Sequence, residues 1–410
     1  MKTAYFGAVG VLALALASCS SDEPNNPFDD PKWPTTDEIT LSSVDTRNIA
    51  ALSDFNDKLM SQAAQYSADG SFCVSPLSVS IYLGMIANSC QGEAREQIVK
   101  ALDCSDLNDF NSLSTRLLKY LPSSKNGAVT HIANHVWIAN RYNIPETYVK
   151  NMSEIFNAGV DNVDFSNDQT FKTINSWTSY HTNGMVKSLF DESEWYSQRN
   201  VPMVCANSVY FKGSWNKEFD KKKTRSQTFH AVDGDITTPM MHKTDIFRYA
   251  ADDKAQMISL DYKQLTTVFE IYLPAEGTDV RNIPKIINEN ERTALRDASG
   301  NTTVALSMPS FMMEGNLYLN DFLESLGITG FENFDFSPMG ISDKYDLVTR
   351  HKTAIKVDEK GTEMAAVSFN GMYTAPQITH MIVDRPFMFV IRNKTTQTVL
   401  MAGVVTNPKN

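Results

Sequence analysis

Positive charge is scarce in this sequence. It contains 37 lysines and arginines against 48 aspartates and glutamates, which gives a formal net charge of −11. Its one marked basic run, Lys221-Lys222-Lys223, has no aromatic residues interleaved with it. Proteins that bind nucleic acids concentrate lysine and arginine on one face, so this composition argues against a nucleic-acid partner. The lysine triplet fits the solvated end of a strand, and a site for a charged cofactor is the alternative.

The motifs of the common enzyme classes are missing as well. No G-x-S-x-G elbow, H-E-x-x-H, C-x-x-C, G-x-G-x-x-G or Walker loop occurs. His131 and His135 are four residues apart, but in the strand predicted over residues 129–139 they would be separated by about 13 Å, so no metal site is predicted. Adjacent carboxylates such as Asp252 and Asp253 project apart and offer no acid–base pair. We expect neither an enzyme nor a bound cofactor.

Long hydrophobic runs are also absent. Residues 4–17 are apolar, but the run is too short to span a bilayer comfortably and has the form of a signal-peptide core. It ends in Leu-Ala-Ser-Cys, which resembles the bacterial lipobox, where cleavage leaves the cysteine N-terminal and lipidated. We therefore predict a lipoprotein signal peptide over residues 1–18 and lipidation of Cys19. An ordinary secretory signal with a chance cysteine is the alternative.

A polar segment follows the predicted lipidation site. The acidic residues Asp22 and Glu23 resemble the surface-export signals of lipoproteins in some Gram-negative bacteria. Residues 24–34 are rich in proline, asparagine and aspartate, so they are too polar to fold alone. We predict a lipidated tether over residues 19–46 and one folded domain over residues 47–410. The expected location is the outer membrane, with exposure at the cell surface left open.

The sequence after the tether predicts interleaved helices and strands that form one large α+β domain. Apolar residues recur at helical spacing from Ile49 to Tyr66, and the long apolar run over residues 201–211 fits a central strand. Cysteines are few. Cys73 and Cys205 lie in apolar strand-like runs and are predicted to be small buried side chains, and no disulfide is predicted.

Residues 358–369, DEKGTEMAAVSF, begin with acidic residues and continue with small ones, about twenty residues before a predicted core strand. Small side chains can enter a β-sheet without steric conflict. The run resembles the hinge of the serpins, the serine-protease-inhibitor fold, whose pattern is E-E/K-G-T-E-A-A-A-A-S/T. Met364 departs from that pattern. The hinge positions that the resemblance implies are Glu359, Gly361, Thr362, Glu363, Met364, Ala365 and Ala366.

Four further segments resemble the same family and occur in the same order. They are FCVSPLSVSIYLGMIANSCQGEAREQI (72–98), INSWTSYHTNGMVKSLF (174–190), ANSVYFKGSWNKEF (206–219) and DRPFMFVIRN (384–393). The resemblance implies a serpin-like α+β fold with three β-sheets, about eight or nine helices and an exposed reactive-centre loop.

The implied function is protease inhibition. In serpins a serine protease attacks the loop and forms an acyl-enzyme, and the cleaved loop inserts as a strand in the central sheet and traps the protease. A non-inhibitory serpin-fold surface binding protein is the alternative, because the large side chain of Met364 would slow insertion. The expected partners are a target protease and, through the N-terminal lipid, a membrane. We expect a monomer.

The reactive bond is placed by the hinge length that is usual in the family. Seventeen residues counted from Glu359 place the bond between Ala375 and Pro376. Because proline after a scissile bond is poorly tolerated, the bonds Thr374–Ala375 and Tyr373–Thr374 are also candidates. These small or aromatic residues suit an elastase-, chymotrypsin- or subtilisin-like serine protease. A papain-like cysteine protease is the alternative target.

The resemblance also implies controls on the opening of the central sheet. A buried polar cluster called the shutter falls at Ser75, Ser78, Asn207 and His351. Buried polar groups must satisfy one another, so such a cluster can exchange partners as strands separate. At the top of the sheet, Trp215 and Glu359 match the family's breach. A lysine that often pairs with this glutamate would fall at Ser310, so we expect Glu359 to have another partner.

Overall fold

The structure is a computed structural model that describes residues 35–123, 128–198, 201–342, 350–362 and 378–408. Several predicted sites lie outside these residues. They are the signal peptide and Cys19, the hinge positions Glu363, Met364, Ala365 and Ala366, and the reactive-bond candidates Tyr373, Thr374, Ala375 and Pro376.

The described part of the chain contains ten α-helices. Pro76 begins the second helix, where its missing N–H is tolerated, and the first helix begins with a capping box formed by Ser42 and Asp45. The helices are α1 Ser43–Tyr66, α2 Pro76–Ser89, α3 Glu93–Ala101, α4 Leu107–Tyr120, α5 Glu146–Phe156, α6 Asp168–His181, α7 Glu192–Gln198, α8 Ile283–Ile286, α9 Glu289–Ala298 and α10 Asn320–Ser325.

Fifteen strands are interleaved with these helices in the described residues. They are β1 Phe72–Val74, β2 Ala128–Ala139, β3 Ala158–Val163, β4 Met203–Ser214, β5 Arg225–Ala231, β6 Gly234–Ala251, β7 Ala255–Asp261, β8 Thr267–Pro274, β9 Gly300–Pro309, β10 Phe311–Tyr318, β11 Arg350–Val357, β12 Gly361–Thr362, β13 Thr379–Ile382, β14 Phe387–Asn393 and β15 Val399–Val405.

The larger sheet has nine strands in the order β1-β15-β14-β8-β7-β6-β9-β13, with β5 paired to β6. Strand β6 is long enough to pair with β5, β9 and β7 in turn. The serpin resemblance implies three sheets, but the described residues form two. The reason is that β6 is hydrogen-bonded to β5, β7 and β9 and so joins two of the expected sheets into one. Strands β8, β14 and β15 are buried at every position, as expected for near-continuous hydrophobic runs with both faces covered.

The smaller sheet has six strands in the order β10-β11-β4-β2-β3, and β12 pairs with β4. Its central strands β4 and β11 are parallel. Strand β2 runs antiparallel to β4 and parallel to β3, and β10 runs antiparallel to β11. Helix α2 is buried along almost its whole length and contacts both β4 and β15. The hydrophobic core therefore lies between the two sheets, with α2 inside it.

The observed fold confirms the predicted α+β fold class. The helix expected between Ile49 and Tyr66 is α1, and the apolar run over residues 201–211 lies mostly in β4. Helix α1 begins at Ser43, four residues before the domain start predicted at residue 47. The four cysteines of the described residues are free thiols, three of them buried and Cys205 half-buried. No helix in the described residues is long and apolar enough to cross a membrane.

Candidate functional site

A buried polar cluster lies where the smaller sheet meets α2. Ser75 caps the N-terminus of α2, and its hydroxyl accepts a bond from the Ser78 N–H at 3.4 Å. The same hydroxyl donates to the carbonyl of Leu400 at 2.6 Å, and the Ser75 N–H donates to Nε2 of His351 at 2.9 Å. The cap therefore joins α2 to both β15 and β11.

The second half of the cluster joins α2 to β4. The Ser78 hydroxyl donates to the side-chain oxygen of Asn207. The Asn207 amide group donates to the side-chain oxygen of Asn134 at 2.7 Å, and that of Asn134 donates to the carbonyl of Phe156 at 2.8 Å. The structure thus brings together all four predicted shutter residues. It adds Asn134, which lies opposite Asn207 in the β2–β4 pairing.

His351 is held in its neutral form. Its side chain is buried, and this desolvation lowers the pKa of the imidazole to about 4. Because Nε2 accepts a bond from the Ser75 N–H, the neutral ring carries its proton on Nδ1. The cluster therefore contains amide, hydroxyl and neutral imidazole groups, whose bonds are exchangeable without burying a charge.

The top of the smaller sheet is built around Trp215, which follows β4 and is 1% exposed. Its indole stacks on Tyr262 with 4.8 Å between ring centroids. The indole Nε1 donates to the carbonyl of Asp358 at 3.0 Å, and the Trp215 N–H donates to the carbonyl of Lys360 at 3.1 Å. These two bonds fix the start of the hinge against the end of β4.

Ser310 occupies the position of the lysine that often pairs with this glutamate in serpins, and Glu359 has another partner instead. Its carboxylate accepts a bond from the Thr224 hydroxyl at 2.7 Å, and its carbonyl accepts a bond from the Phe219 N–H at 2.8 Å. The backbone N–H of Ser310 itself donates to the carbonyl of Pro239 at 3.0 Å. A neutral hydroxyl therefore stands in for the expected ammonium group, and the contact is a charge-assisted hydrogen bond rather than an ion pair.

The hinge occupies a position between two strands of the sheet. In the middle of β4, Ser208 lies opposite Lys352 of β11, and the two strands are paired there. At the top, β12 takes the place beside β4, with Thr362 opposite Gly213 and Gly361 opposite Ser214. The hinge thus runs antiparallel to β4 and lies where a further strand would have to enter.

Gly361 allows the hinge to lie beside β4 without a steric clash. Its φ angle of +138° is one that residues with side chains rarely adopt. A Cβ atom here would lie 2.3 Å from the carbonyl oxygen of Gly213 and 2.7 Å from the Cα of Ser214. Only glycine therefore allows the hinge to approach β4 this closely.

The sequence profile of the family described as "Serpin (serine protease inhibitor)" matches residues 50–408. The chain belongs to the serpin family. Serpins are mostly protease inhibitors rather than catalysts. Human neuroserpin is 27% identical over 378 residues, which cover 88% of this chain and 91% of neuroserpin. A protein of Cyanea capillata named "Serine protease inhibitor" is 28% identical over 357 residues, 83% of this chain and 93% of that protein.

Solved structures agree with this assignment. The native state of Tengpin, a thermophilic serpin, matches with a TM-score of 0.79 and 25% identity, and the match covers 93% of this chain and 99% of Tengpin. The similarity thus extends over the whole serpin fold, including both sheets that meet at α2.

Proposed function

We propose that this serpin traps a serine protease as a covalent acyl-enzyme and inserts the cleaved loop between β4 and β11. The observation that carries the proposal is the pairing of β12 with β4, with Thr362 opposite Gly213. Gly361 and Thr362 are thus already paired with β4 in the antiparallel register that an inserted strand would continue. Residues that continue from Thr362 need only follow the same register down β4.

The energetics favour this motion. About fifteen inserted residues would carry the acyl link roughly 50 Å at 3.3 Å per residue. New ladder hydrogen bonds at about 1 kcal/mol each would together supply on the order of 10 kcal/mol. The intact protein is then kinetically trapped, and cleavage releases the strain. The polar cluster supports the opening, because Ser78 holds β4 and Ser75 holds β11, each through α2.

The target is inferred from the loop residues. Residues 367–378 contain no lysine or arginine, so a trypsin-like protease is not expected. The bonds between Tyr373 and Pro376 offer small or aromatic residues, which suit an elastase-, chymotrypsin- or subtilisin-like protease. A cysteine protease of the papain type remains the alternative target.

A protease panel followed by denaturing gel electrophoresis tests this function. We expect an SDS-resistant band at the summed mass, with a released C-terminal peptide that begins at Thr374, Ala375 or Pro376. The matched control is Thr362→Arg, which puts a long charged side chain at the start of the inserting segment and should give cleavage without trapping. If every protease cuts the intact loop and leaves active, the protein is a non-inhibitory serpin.

We also propose that the domain is tethered to the outer membrane through a lipid on Cys19. The support is the Leu-Ala-Ser-Cys sequence and the polar segment after it. The intact mass of the membrane-extracted protein should show acyl chains on Cys19, and Cys19→Ala should release the protein. A native N-terminus upstream of Cys19, or a mass without lipid, would contradict the proposal.

A further inference from the structure

We propose that four basic residues beside the hinge form a docking surface that steers an acidic protease to the reactive loop. These residues are Lys221, Lys222, Lys223 and Arg225, called the basic quartet below. The inference rests on the proposed inhibitory function and adds the charge class of the partner.

The basic quartet is exposed and has no ion-pair partner among the described residues. All four side chains are exposed, and Lys221–Lys223 form a single 3₁₀ turn. The carboxylate of Asp220 is turned to the backbone, where it accepts a bond from the Lys222 N–H at 3.0 Å. The nearby Lys217, by contrast, forms an ion pair with Asp245, with 2.8 Å between Nζ and Oδ1. The quartet therefore presents charges that the fold itself does not use.

The segment that carries the quartet is bonded to the residues just before the reactive loop and also to the chain that follows β13. On one side, the Phe219 N–H and the Thr224 hydroxyl both bond Glu359, just before the hinge enters the sheet. On the other side, the His230 N–H donates to the carbonyl of Asp384 at 2.7 Å. Asp384 follows β13, whose first residue, Thr379, is the end nearer to the reactive loop. A protease that engages residues 363–377 therefore approaches the end of the molecule where the hinge begins and the quartet lies.

The local charge opposes the charge of the whole protein. Residues 220–231 contain four lysines and arginines and one aspartate, whereas the chain as a whole has a net charge of −11. Surface charges are screened beyond about 8 Å at physiological ionic strength. A protease surface that docks within this distance of residues 221–225 therefore responds to the charge of the quartet more than to the net charge of the chain. Such a patch attracts an acidic protein surface and raises the association rate more than it raises the final affinity.

The test replaces all four residues by glutamine in the full chain. The second-order rate constant of complex formation is measured with an acidic and a basic serine protease that cleave the same bond. With the acidic protease, we expect the variant to be about tenfold slower at low salt. The difference should fall below about twofold at 1 M salt, where the Debye length is about 3 Å. The basic protease should not be slowed.

The control variant removes the same charge elsewhere. Lys100, Lys172 and Lys285 lie on α3, α6 and α8, Lys187 lies in the segment between α6 and α7, and all four are exposed. Their replacement by glutamine changes the net charge equally and should leave the rate with the acidic protease within about twofold. The number of serpin molecules consumed per trapped protease should stay the same in both variants, because steering acts before the loop is cleaved.

Two results would overturn the inference. One is an unchanged rate with the acidic protease at low salt, and the other is equal slowing by the quartet variant and the control variant. If the unmodified protein traps no protease, the proposed inhibition fails instead. The docking surface is then tested by the rate of loop cleavage, which the quartet variant should still lower with the acidic protease alone.

Discussion

The two sheets of this serpin are held together in different ways. In the larger sheet, β14 pairs with β8 from Met388 to Asn393, and both strands are buried throughout. Even its buried charges are fixed, because Arg392 lies 2.7 Å from Glu270 across these strands. In the smaller sheet, β4 and β11 meet where Ser208 lies opposite Lys352, and β12 separates them at the top.

This difference assigns a role to each sheet. Separating strands of the larger sheet would expose continuous apolar surface at about 25 cal/mol per Å². Between β4 and β11 only Ser208 and Lys352 are paired among the described residues, so separating these strands breaks few ladder bonds and exchanges hydrogen bonds within the polar cluster, each worth about 1 kcal/mol net. Under the proposed function, the larger sheet is the scaffold and the smaller sheet is the part that would open.

The largest expected effect comes from damage to the scaffold. Phe389 in β14 is fully buried and stacks on Phe269 with 5.4 Å between ring centroids. Phe389→Ala should lower the free energy of unfolding by about 3–5 kcal/mol. Because the scaffold does not change on insertion, the loss should be the same before and after loop cleavage. Denaturant titrations of both forms measure it, and a loss confined to one form would contradict the division between the sheets.

A smaller effect is expected from pH at the opening sheet. The pKa of His351 is about 4 in the folded protein and near 6.5 when unfolded, so its stabilisation is complete above pH 6.5 and is lost as the pH falls towards 4. Between pH 7.5 and pH 5 this residue should account for a loss of about 2 kcal/mol. Denaturant midpoints across this range measure the loss.

The control for this pH effect is His351→Gln. Glutamine has no titrating group, while its side-chain oxygen is able to accept the Ser75 N–H. Burial also lowers the pKa values of His135 and His242, so only the difference between the two proteins reports on His351. An identical pH dependence in wild type and variant would show that the cluster does not depend on a neutral imidazole.

The smallest effect is expected at the top of the opening sheet. Thr224→Val removes the hydroxyl that binds Glu359 and should cost about 1–2 kcal/mol of local stability. Hydrogen exchange at the N–H groups of Trp215 and Phe219, which bond the hinge backbone, should become faster. Thr228→Val on the exposed part of β5 is the matched control and should leave both rates unchanged. Equal exchange in all three proteins would mean that Thr224 does not hold the hinge.

The sequence allowed the shutter and the breach to be predicted only where family patterns mark them. Asn134 was missed because one asparagine in an apolar strand has no periodic signal, and its partner Asn207 lies 73 residues away. Thr224 was missed for the same reason, since Glu359 follows 135 residues later. Strand β5 has only Phe229 buried, so it lacks the alternation by which strands are recognised. Contacts of this kind are decided by tertiary packing rather than by local pattern.

Under the proposed function, the cleaved loop enters the smaller sheet between β4 and β11. The most direct test is the thermal midpoint before and after clean cleavage within residues 367–377. Insertion worth about 10 kcal/mol should raise the midpoint by roughly 10–15 °C for a domain of this size. Thr362→Arg should be cut equally well and show no rise. An unchanged midpoint in the cleaved wild-type protein would contradict the account.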